Sequence, residues 1–313
     1  MAEQYIELRV NRDFGDILSV YFDFLRQNLK KFTNVFLSYN GIFIVGLLIS
    51  SYLLVTGFVG MISMEGSGYG IESTSSGDNS HWVSIVAGGV FYCFVLMAVF
   101  FLNYSLSSSY LHLYEQSKGR DFERREVWAH CKENIGKTLL FILMLIPLFI
   151  GVFIVAVVFA IIPILGLFAQ YIVQFFVTAW IGVSFFAMIT LKMSVGDGFS
   201  EGWRLVAANF WKSVGVNFIL GLLNGILLMV ILMVPGIIIG IYTYHVVENN
   251  VDVGSSVLAI SLYTVTLCLF MVLAVFAQCL SQFVNGILFY ALHEKAYNSN
   301  ARSKIEQIGQ ADR

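Results

Sequence analysis

The chain has 313 residues, of which 58% are hydrophobic and only 12% are charged, and its mean hydropathy is +0.79. Soluble proteins carry about 25% charged residues, so this composition excludes a soluble globular fold. The formal net charge of −2 says nothing by itself about partners, and we expect no nucleic-acid partner.

The charged residues are unevenly distributed along the chain. Five stretches contain no Asp, Glu, Lys or Arg: 32–64, 79–114, 138–191, 213–247 and 253–293. A membrane-spanning helix needs about 20 apolar residues to cross about 30 Å of hydrocarbon. Each stretch is therefore long enough for one crossing, and the longest can hold two. The sequence predicts an all-α, polytopic membrane protein with six transmembrane helices.

The first predicted element is an amphipathic helix over residues 12–32, where apolar side chains recur every three or four positions. Its basic end favours a position flat on the inner membrane surface. The first two crossings are predicted at 36–62 and 82–110. These elements, with the Gly- and Ser-rich loop between the crossings, make a first repeat, residues 1–115.

The same order of elements is predicted twice more along the chain. The second repeat, residues 116–192, consists of a surface helix at 122–137 and crossings at 138–162 and 166–191, joined by a tight turn that starts at Pro163. The third repeat, residues 193–313, consists of a surface helix at 195–212, crossings at 214–241 and 255–293, and a cytoplasmic tail at 294–313.

A short motif, Asn-x-x-Lys, stands where surface helix meets crossing in every repeat. The three copies are Asn28 to Lys31, Asn134 to Lys137, and Asn209 to Lys212. The Asn can cap the start of the next helix by accepting from its free amides. The lysines can reach phosphate headgroups from a helix end, so Lys31, Lys137 and Lys212 are candidate headgroup anchors, with ligand binding as the alternative.

Basic residues all fall on one predicted side of the membrane. All 18 Lys and Arg residues lie in the two termini and in the segments 111–137 and 192–213, whereas the loops 63–81, 163–165 and 242–254 carry only acidic charge. Cytoplasmic loops retain Lys and Arg during insertion, so both termini are expected in the cytoplasm. No cleavable signal peptide is predicted.

A few polar side chains lie inside the predicted crossings. Asn103 and Ser107 are one helical turn apart on the second crossing, and Gln278, Gln282 and Asn285 share a face of the sixth. They are candidates for a polar vestibule that opens inward between the first and third repeats. The alternative is that they hydrogen-bond neighbouring helices. No ionised side chain is predicted inside a crossing, which disfavours ion-coupled transport.

The sequence carries no pattern typical of an active site. It has neither a Gly-x-Ser-x-Gly elbow nor a Gly-rich phosphate loop. The five histidines are predicted to be isolated from one another, without metal-ligand spacing, and the four cysteines to be reduced thiols. We therefore expect no catalytic residues, no cofactor, no metal and no disulfide.

Three segments carry a resemblance to a known family: Asp197 to Leu205 with Asn209 to Lys212, Ala291 to Lys295, and Ile305 to Gly309. They resemble bacterial inner-membrane proteins with six transmembrane helices, which are distantly similar to the membrane domain fused to some glycerophosphodiester phosphodiesterases. The resemblance implies a bacterial inner-membrane location and an accessory or complex-forming role. No phosphodiesterase domain is expected here, so that activity is not implied.

Two functions from different classes follow from these features. The leading hypothesis is a non-enzymatic integral membrane scaffold or accessory subunit of a bacterial inner-membrane complex, which presents its cytoplasmic surface helices and tail to partner membrane proteins. The alternative is a passive or partner-energised carrier of lipid or another apolar small molecule. An intramembrane enzyme is disfavoured because the acid, base and metal ligands are missing.

Overall fold

A computed structural model describes residues 5–66, 80–162, 164–249 and 256–298. These residues form eight helices: α1 (Phe14–Gly66), α2 (Ser80–Gln116), α3 (Arg124–Glu133), α4 (Ile135–Ala160), α5 (Leu165–Thr190), α6 (Val195–Ala207), α7 (Phe210–Glu248) and α8 (Val257–Tyr297). Six of the described helices, all but α3 and α6, are long and apolar enough to cross a membrane. The protein is therefore a multi-pass membrane protein.

Parts of several predicted elements lie outside the described residues. They are residues 67–79 of the first polar loop, Pro163 of the tight turn, residues 250–255 of the last loop and residues 299–313 of the tail.

The first predicted surface helix is continuous with the first crossing. α1 is one helix of 53 residues that contains residues 14–32 of the predicted surface helix and all of the predicted crossing 36–62, where the sequence predicts two elements. Phe32 to Val35 contains neither Gly nor Pro, so the local sequence allows the helix to continue. In contrast, α3 ends before Asn134 and α6 ends before Ala208, so the second and third surface helices are separate from the crossings that follow.

The helices pack as two compact units, each described by itself. Unit 1 comprises Met1–Phe36, Phe101–Leu223 and Gln278–Arg313, and unit 2 comprises Leu37–Phe100 and Asn224–Ala277.

The centre of unit 1 consists of three helical stretches in which every residue is buried: 102–111 of α2, 181–189 of α5 and 282–292 of α8. A helix that is buried on all sides lies in the interior of its fold. Each pair of these stretches is in contact. The rings of Tyr104 and Phe185 are 4.7 Å apart, and Gly286 lies against both Leu111 and Phe186.

The residue pattern of α1 explains why this helix packs on the centre of unit 1. α1 buries Ile17, Tyr21, Phe24 and Phe32 at intervals of three to eight residues, and the ring of Phe32 lies 4.6 Å from that of Phe283 on α8. These positions form one face of a helix. The amphipathic pattern of the sequence therefore faces protein in the structure.

α6 packs on α5 through glycines. A Cβ atom at Gly198 would lie 2.9 Å from the Cβ of Met188, and one at Gly202 would collide with Ser184. Glycines at i and i+4 let two helix backbones approach closely. The short helix is therefore held tightly against the protein.

Unit 2 contains the remaining halves of α1, α2, α7 and α8. α1 and α2 approach closely at Gly57, where an added Cβ would lie 3.0 Å from the backbone nitrogen of Ile85. α7 and α8 are joined by hydrogen bonds from Asn224 Nδ2 to the carbonyl of Ala277 (3.4 Å) and between the hydroxyls of Thr243 and Tyr263 (2.7 Å). Small residues and interhelical hydrogen bonds of this kind join helices in membranes.

Candidate functional site

The three motif lysines all bind oxygen atoms of the protein itself. Lys31 Nζ is 2.7 Å from the Asp121 carboxylate and lies over the ring of Phe122. Lys137 Nζ donates to the carbonyl of Met193 (3.3 Å).

Lys212 is the most enclosed of the three, since only 17% of its side chain is exposed. Its ammonium donates to the carbonyl of Arg12 (2.7 Å), with the Asp13 carboxylate 3.8 Å away. A role for these lysines as headgroup anchors stays a prediction, and in this structure their charges are directed at protein groups.

The three lysine contacts share a position relative to the helices. Asp121 precedes the start of α3 by three residues, Met193 precedes α6 by two, and Arg12 precedes α1 by two. Each lysine therefore holds the chain just ahead of another helix, and in sequence the paired residues are 90, 56 and 200 positions apart.

The motif asparagines hydrogen-bond to the preceding turn of the chain, and not to the helix that follows as predicted. Their Nδ2 atoms donate to carbonyls four residues earlier: Asn28 to Phe24 (3.1 Å), Asn134 to His130 (3.0 Å) and Asn209 to Leu205 (3.0 Å). At the start of α4, the Asn134 side chain makes no cap hydrogen bond. The prediction that these asparagines cap the next helix is wrong at Asn134, because the amide nitrogen finds a carbonyl acceptor in the preceding turn.

The candidate vestibule residues lie in the packed interior of unit 1. Asn103, Ser107, Gln282 and Asn285 are at most 2% exposed. Ser107 Oγ donates to the carbonyl of Asn103 (2.7 Å). Among the described residues, Gln278 Nε2 is buried and has no hydrogen-bond partner. A vestibule at this place stays a prediction, and it would require α2 and α8 to separate.

Hydrogen bonds cross between helices at these same residues. Gln282 Nε2 donates to Ser108 Oγ (2.9 Å), which joins α8 to α2. Asn217 Nδ2 of α7 donates to Asn285 Oδ1 (3.1 Å), and Asn285 lies directly on Gly182 of α5. Asn285 therefore connects three helices, which is the interhelical bonding that the sequence leaves open as the alternative.

Two histidines predicted to be isolated meet in unit 1, so that prediction is wrong for this pair. The rings of His112 and His130 stack with centroids 4.9 Å apart. His130 Nδ1 is 2.9 Å from Ser109 Oγ, and the Cys131 thiol donates to the same oxygen (3.4 Å). The sequence alone gives little indication of this contact. His112 is on α2 and His130 is on α3, and the geometry of the turn between the two helices decides whether the rings meet.

The chemistry of this cluster is restrained by burial. Burial lowers the pKa of His130 and raises the pKa of the Cys131 thiol, so both groups favour their neutral forms. Ser109 is completely buried and is not accessible to a substrate in this structure. No group of three or more His, Cys, Asp or Glu side chains among the described residues could hold a metal ion.

An ion-paired cluster ties the amino-terminal segment to α2. Arg9 Nε is 3.0 Å from the Glu115 carboxylate, and Lys118 Nζ is 2.9 Å from it. The backbone amide of Ile6 donates to the Tyr114 hydroxyl (3.0 Å). Sequence reasoning missed this cluster, although Glu115 is the first charged residue after a long uncharged stretch.

Unit 1 also carries an apolar groove between α5 and α7. Its volume is about 560 Å³, and it is lined by Phe168, Tyr171, Ile172, Phe175, Trp211, Val214, Gly215, Phe218, Gly221 and Leu222. Gly221 allows the ring of Phe175 to lie on α7, since an added Cβ would be 3.0 Å from that ring. The groove can accept an apolar ligand by shape and lining.

Comparisons with known proteins found no relative of this chain. No protein-family model, no curated protein and no solved structure matches the chain.

Proposed function

We propose that the protein is a non-enzymatic scaffold or accessory subunit of a bacterial inner-membrane complex, with both termini in the cytoplasm. One observation carries the proposal: α3 and α6 each bury one face in unit 1 and expose the other. α3 buries Val127 and Cys131 and exposes Arg125 and Lys132. A charged face held in place by packing is pre-organised for contact with a partner, which lowers the entropic cost of binding.

The interior of unit 1 supports a static role. Polar side chains that could line a transport path are instead buried and bonded between helices, as at Gln282 with Ser108 and Asn217 with Asn285. Separating the helices would break these bonds, so the arrangement favours anchoring over carrying.

Three repeats, residues 1–115, 116–192 and 193–313, are part of the proposal. The lysine contacts support them because they run in one closed order. The lysine of the first repeat holds the second repeat, that of the second holds the third, and that of the third holds the first. Each repeat also supplies one of the three buried central stretches. Such an order is typical of copies related by a pseudo-threefold axis.

A charge-reversal experiment tests the scaffold. Arg125→Glu with Lys132→Glu changes the exposed face of α3, and Arg26→Glu with Lys30→Glu makes the same charge change on α1. After cross-linking in cells and purification in mild detergent, quantitative mass spectrometry should find membrane partners with the wild type and the α1 variant. The α3 variant should lose about tenfold or more of them, as expected when interface charges are reversed. Recovery of only lipid and a lone monomer with the wild type would contradict the proposal.

The second candidate, a carrier of lipid or another apolar molecule, is favoured by the groove between α5 and α7. Gly221→Leu should fill the groove, whereas Gly225→Leu places the same side chain on the same helix where nothing lies within 4 Å. In liposomes, a carrier would lose lipid transport with the first change and keep it with the second. Replacing Asn103, Gln278 and Gln282 together by Leu tests the vestibule route, and unchanged flux would remove it.

A further inference from the structure

The turn between α4 and α5 is apolar throughout. No polar side chain occurs from Leu139 to Ala169, a run that includes the whole connection between the helices. Ile161 and Ile164 in this turn are 77% and 69% exposed. Exposing these isoleucines to water would be unfavourable, because burial of an apolar side chain of this size contributes about 1.5–3 kcal/mol relative to exposure to water.

The loops of the other two long hairpins have a different composition. Residues 67–79 include Glu72 and Asp78 with several Gly and Ser residues, and residues 250–255 include Asp252. Turns in water favour Gly, Asn, Asp and Ser for their backbone freedom and hydrogen bonding. The α4–α5 turn instead places Ile164 at a φ of 61°, a conformation that a β-branched residue rarely adopts. Composition therefore separates this turn from the two polar loops.

Much of the turn's backbone finds partners within the hairpin. The amides of Ile161, Ile162 and Gly166 donate to the carbonyls of Val158, Phe159 and Ile162, and Pro163 has no amide hydrogen to satisfy. Gly166 permits this tight return, since a Cβ there would collide with the Phe159 carbonyl. Backbone in hydrocarbon must satisfy its own hydrogen bonds, and these bonds meet much of that requirement.

We propose that the α4–α5 turn lies in the hydrocarbon core of the bilayer, covered by lipid acyl chains, and does not emerge on the opposite face. α4 and α5 are long enough to cross, but with 26 residues each they are shorter than α2, α7 and α8, which have 37 to 41 residues. They then form a re-entrant hairpin, and the chain crosses the membrane four times, through α1, α2, α7 and α8. The other end of the hairpin agrees with this arrangement. Lys137 at the start of α4 donates to the carbonyl of Met193, just after α5, so both helices meet at one basic end.

Cysteine accessibility tests the proposal. Ile164→Cys is made in a variant whose four native cysteines are replaced by Ala, with Ser67→Cys and Arg120→Cys as controls in the polar loop and after α2. In sealed right-side-out vesicles, an impermeant maleimide should label Ser67→Cys from outside and Arg120→Cys only after permeabilisation. Ile164→Cys should stay unlabelled until detergent is added. Labelling of Ile164→Cys from outside at the rate of Ser67→Cys would overturn the proposal.

Protection by a protein partner is distinguished by a lipid probe. A bimane attached at Ile164→Cys in detergent and reconstituted into vesicles should be quenched by lipids that carry a doxyl group on the acyl chain. Absence of quenching by acyl-chain doxyl groups would mean that protein covers the turn, and would overturn the proposal.

A charge substitution provides a measurement without introduced cysteines. Ile164→Asp should reduce the yield of folded, monodisperse protein by about fivefold or more, because a carboxylate in hydrocarbon is strongly disfavoured. Ser75→Asp, the same charge in the polar loop, should leave the yield unchanged. Equal yields for the two variants would contradict the proposal, and it stands or falls independently of the scaffold function.

Discussion

Lys212 illustrates how a basic residue at the end of a membrane helix can serve the fold. A lysine beside a membrane crossing is usually interpreted as a residue that interacts with anionic lipid headgroups. Here the ammonium is largely enclosed and donates to the carbonyl of Arg12. Arg9, three residues earlier in the amino-terminal segment, is paired with Glu115 of α2, so Lys212 adds a second attachment of this segment to the helices.

Lys212→Met tests this role. Loss of a hydrogen bond from a charged donor should lower the free energy of unfolding by about 1.5–3 kcal/mol and make the amino-terminal segment more susceptible to protease. Lys30→Met, which removes an exposed lysine of the first motif, should change stability little. Thermal unfolding in detergent and limited proteolysis measure both effects. Equal stability of the two variants would contradict a role of Lys212 in holding the amino-terminal segment.

His130 predicts a dependence of stability on pH. Its pKa is lowered from the ordinary value of 6.5, chiefly by burial; Lys192 adds to the effect and Glu133 opposes it. The unfolded chain therefore binds a proton more readily than the folded one. The contribution of neutral His130 to stability is fully present above about pH 6.5 and is lost as the pH falls towards the folded pKa.

Chemical denaturation at pH 7.5 and pH 5 measures this effect. The wild type should be less stable at the lower pH, and His130→Gln should reduce the difference. His245→Gln, which changes a histidine near the end of α7, should retain it. A pH response that is unaltered in His130→Gln would assign the effect to other groups, including the stacked His112.

At the scale of elements, α6 depends on how closely it can approach α5. The sequence predicts an amphipathic surface helix here, and the structure adds that glycines lie on its inner face. Gly198 and Gly202 lie against Met188 and Ser184, whereas an added Cβ at Gly196 in the same helix would meet nothing within 4 Å. Position on the helix thus decides whether a glycine is replaceable.

Gly202→Ala should destabilise the protein by about 1–3 kcal/mol, because the methyl group overpacks the contact with α5. Gly196→Ala introduces the same atom on the open face and should be neutral or stabilise by up to about 1 kcal/mol through helix propensity. Unfolding midpoints of the two purified variants provide the comparison. Similar midpoints would mean that α6 shifts away from α5 without loss.

At the scale of the whole molecule, the distribution of charge sets the expected orientation. All 18 basic residues lie in the two termini and in the segments 111–137 and 192–213, which six crossings would place on one side of the membrane. We expect both termini on that side whether α4 and α5 cross the membrane or return within it, because four and six are both even numbers.

Labelling of intact cells tests the orientation. A cysteine at Ser67 should react with an impermeant reagent from outside, and a cysteine at Ser303 near the carboxyl end should react only after the membrane is opened, because basic segments stay in the cytoplasm. The opposite pattern would invert the proposed topology and remove the basis for partners in the cytoplasm.

The parts of the candidate site that could be predicted are those that depend on residues close together in the sequence. The positions of Lys31, Lys137 and Lys212 were visible as a repeated motif, but their partners are 56 to 200 residues away in sequence. The polar stripe at Gln282 and Asn285 was visible from helical spacing. Its partners on α2 and α7 were not, because facing positions depend on how helices rotate against one another.

The sequence by itself determined that six apolar helices form and that the basic residues are confined to the termini and to the segments 111–137 and 192–213. The reason is that transfer of a segment into hydrocarbon depends on the composition of about 20 neighbouring residues. Only the tertiary structure decided which side chains meet: the stacked pair of His112 and His130, the glycine contact of α6 and the enclosure of Lys212. These contacts join residues distant in the chain. They depend on how the shapes of the side chains fit together in a close-packed interior, and this fit cannot be read from composition.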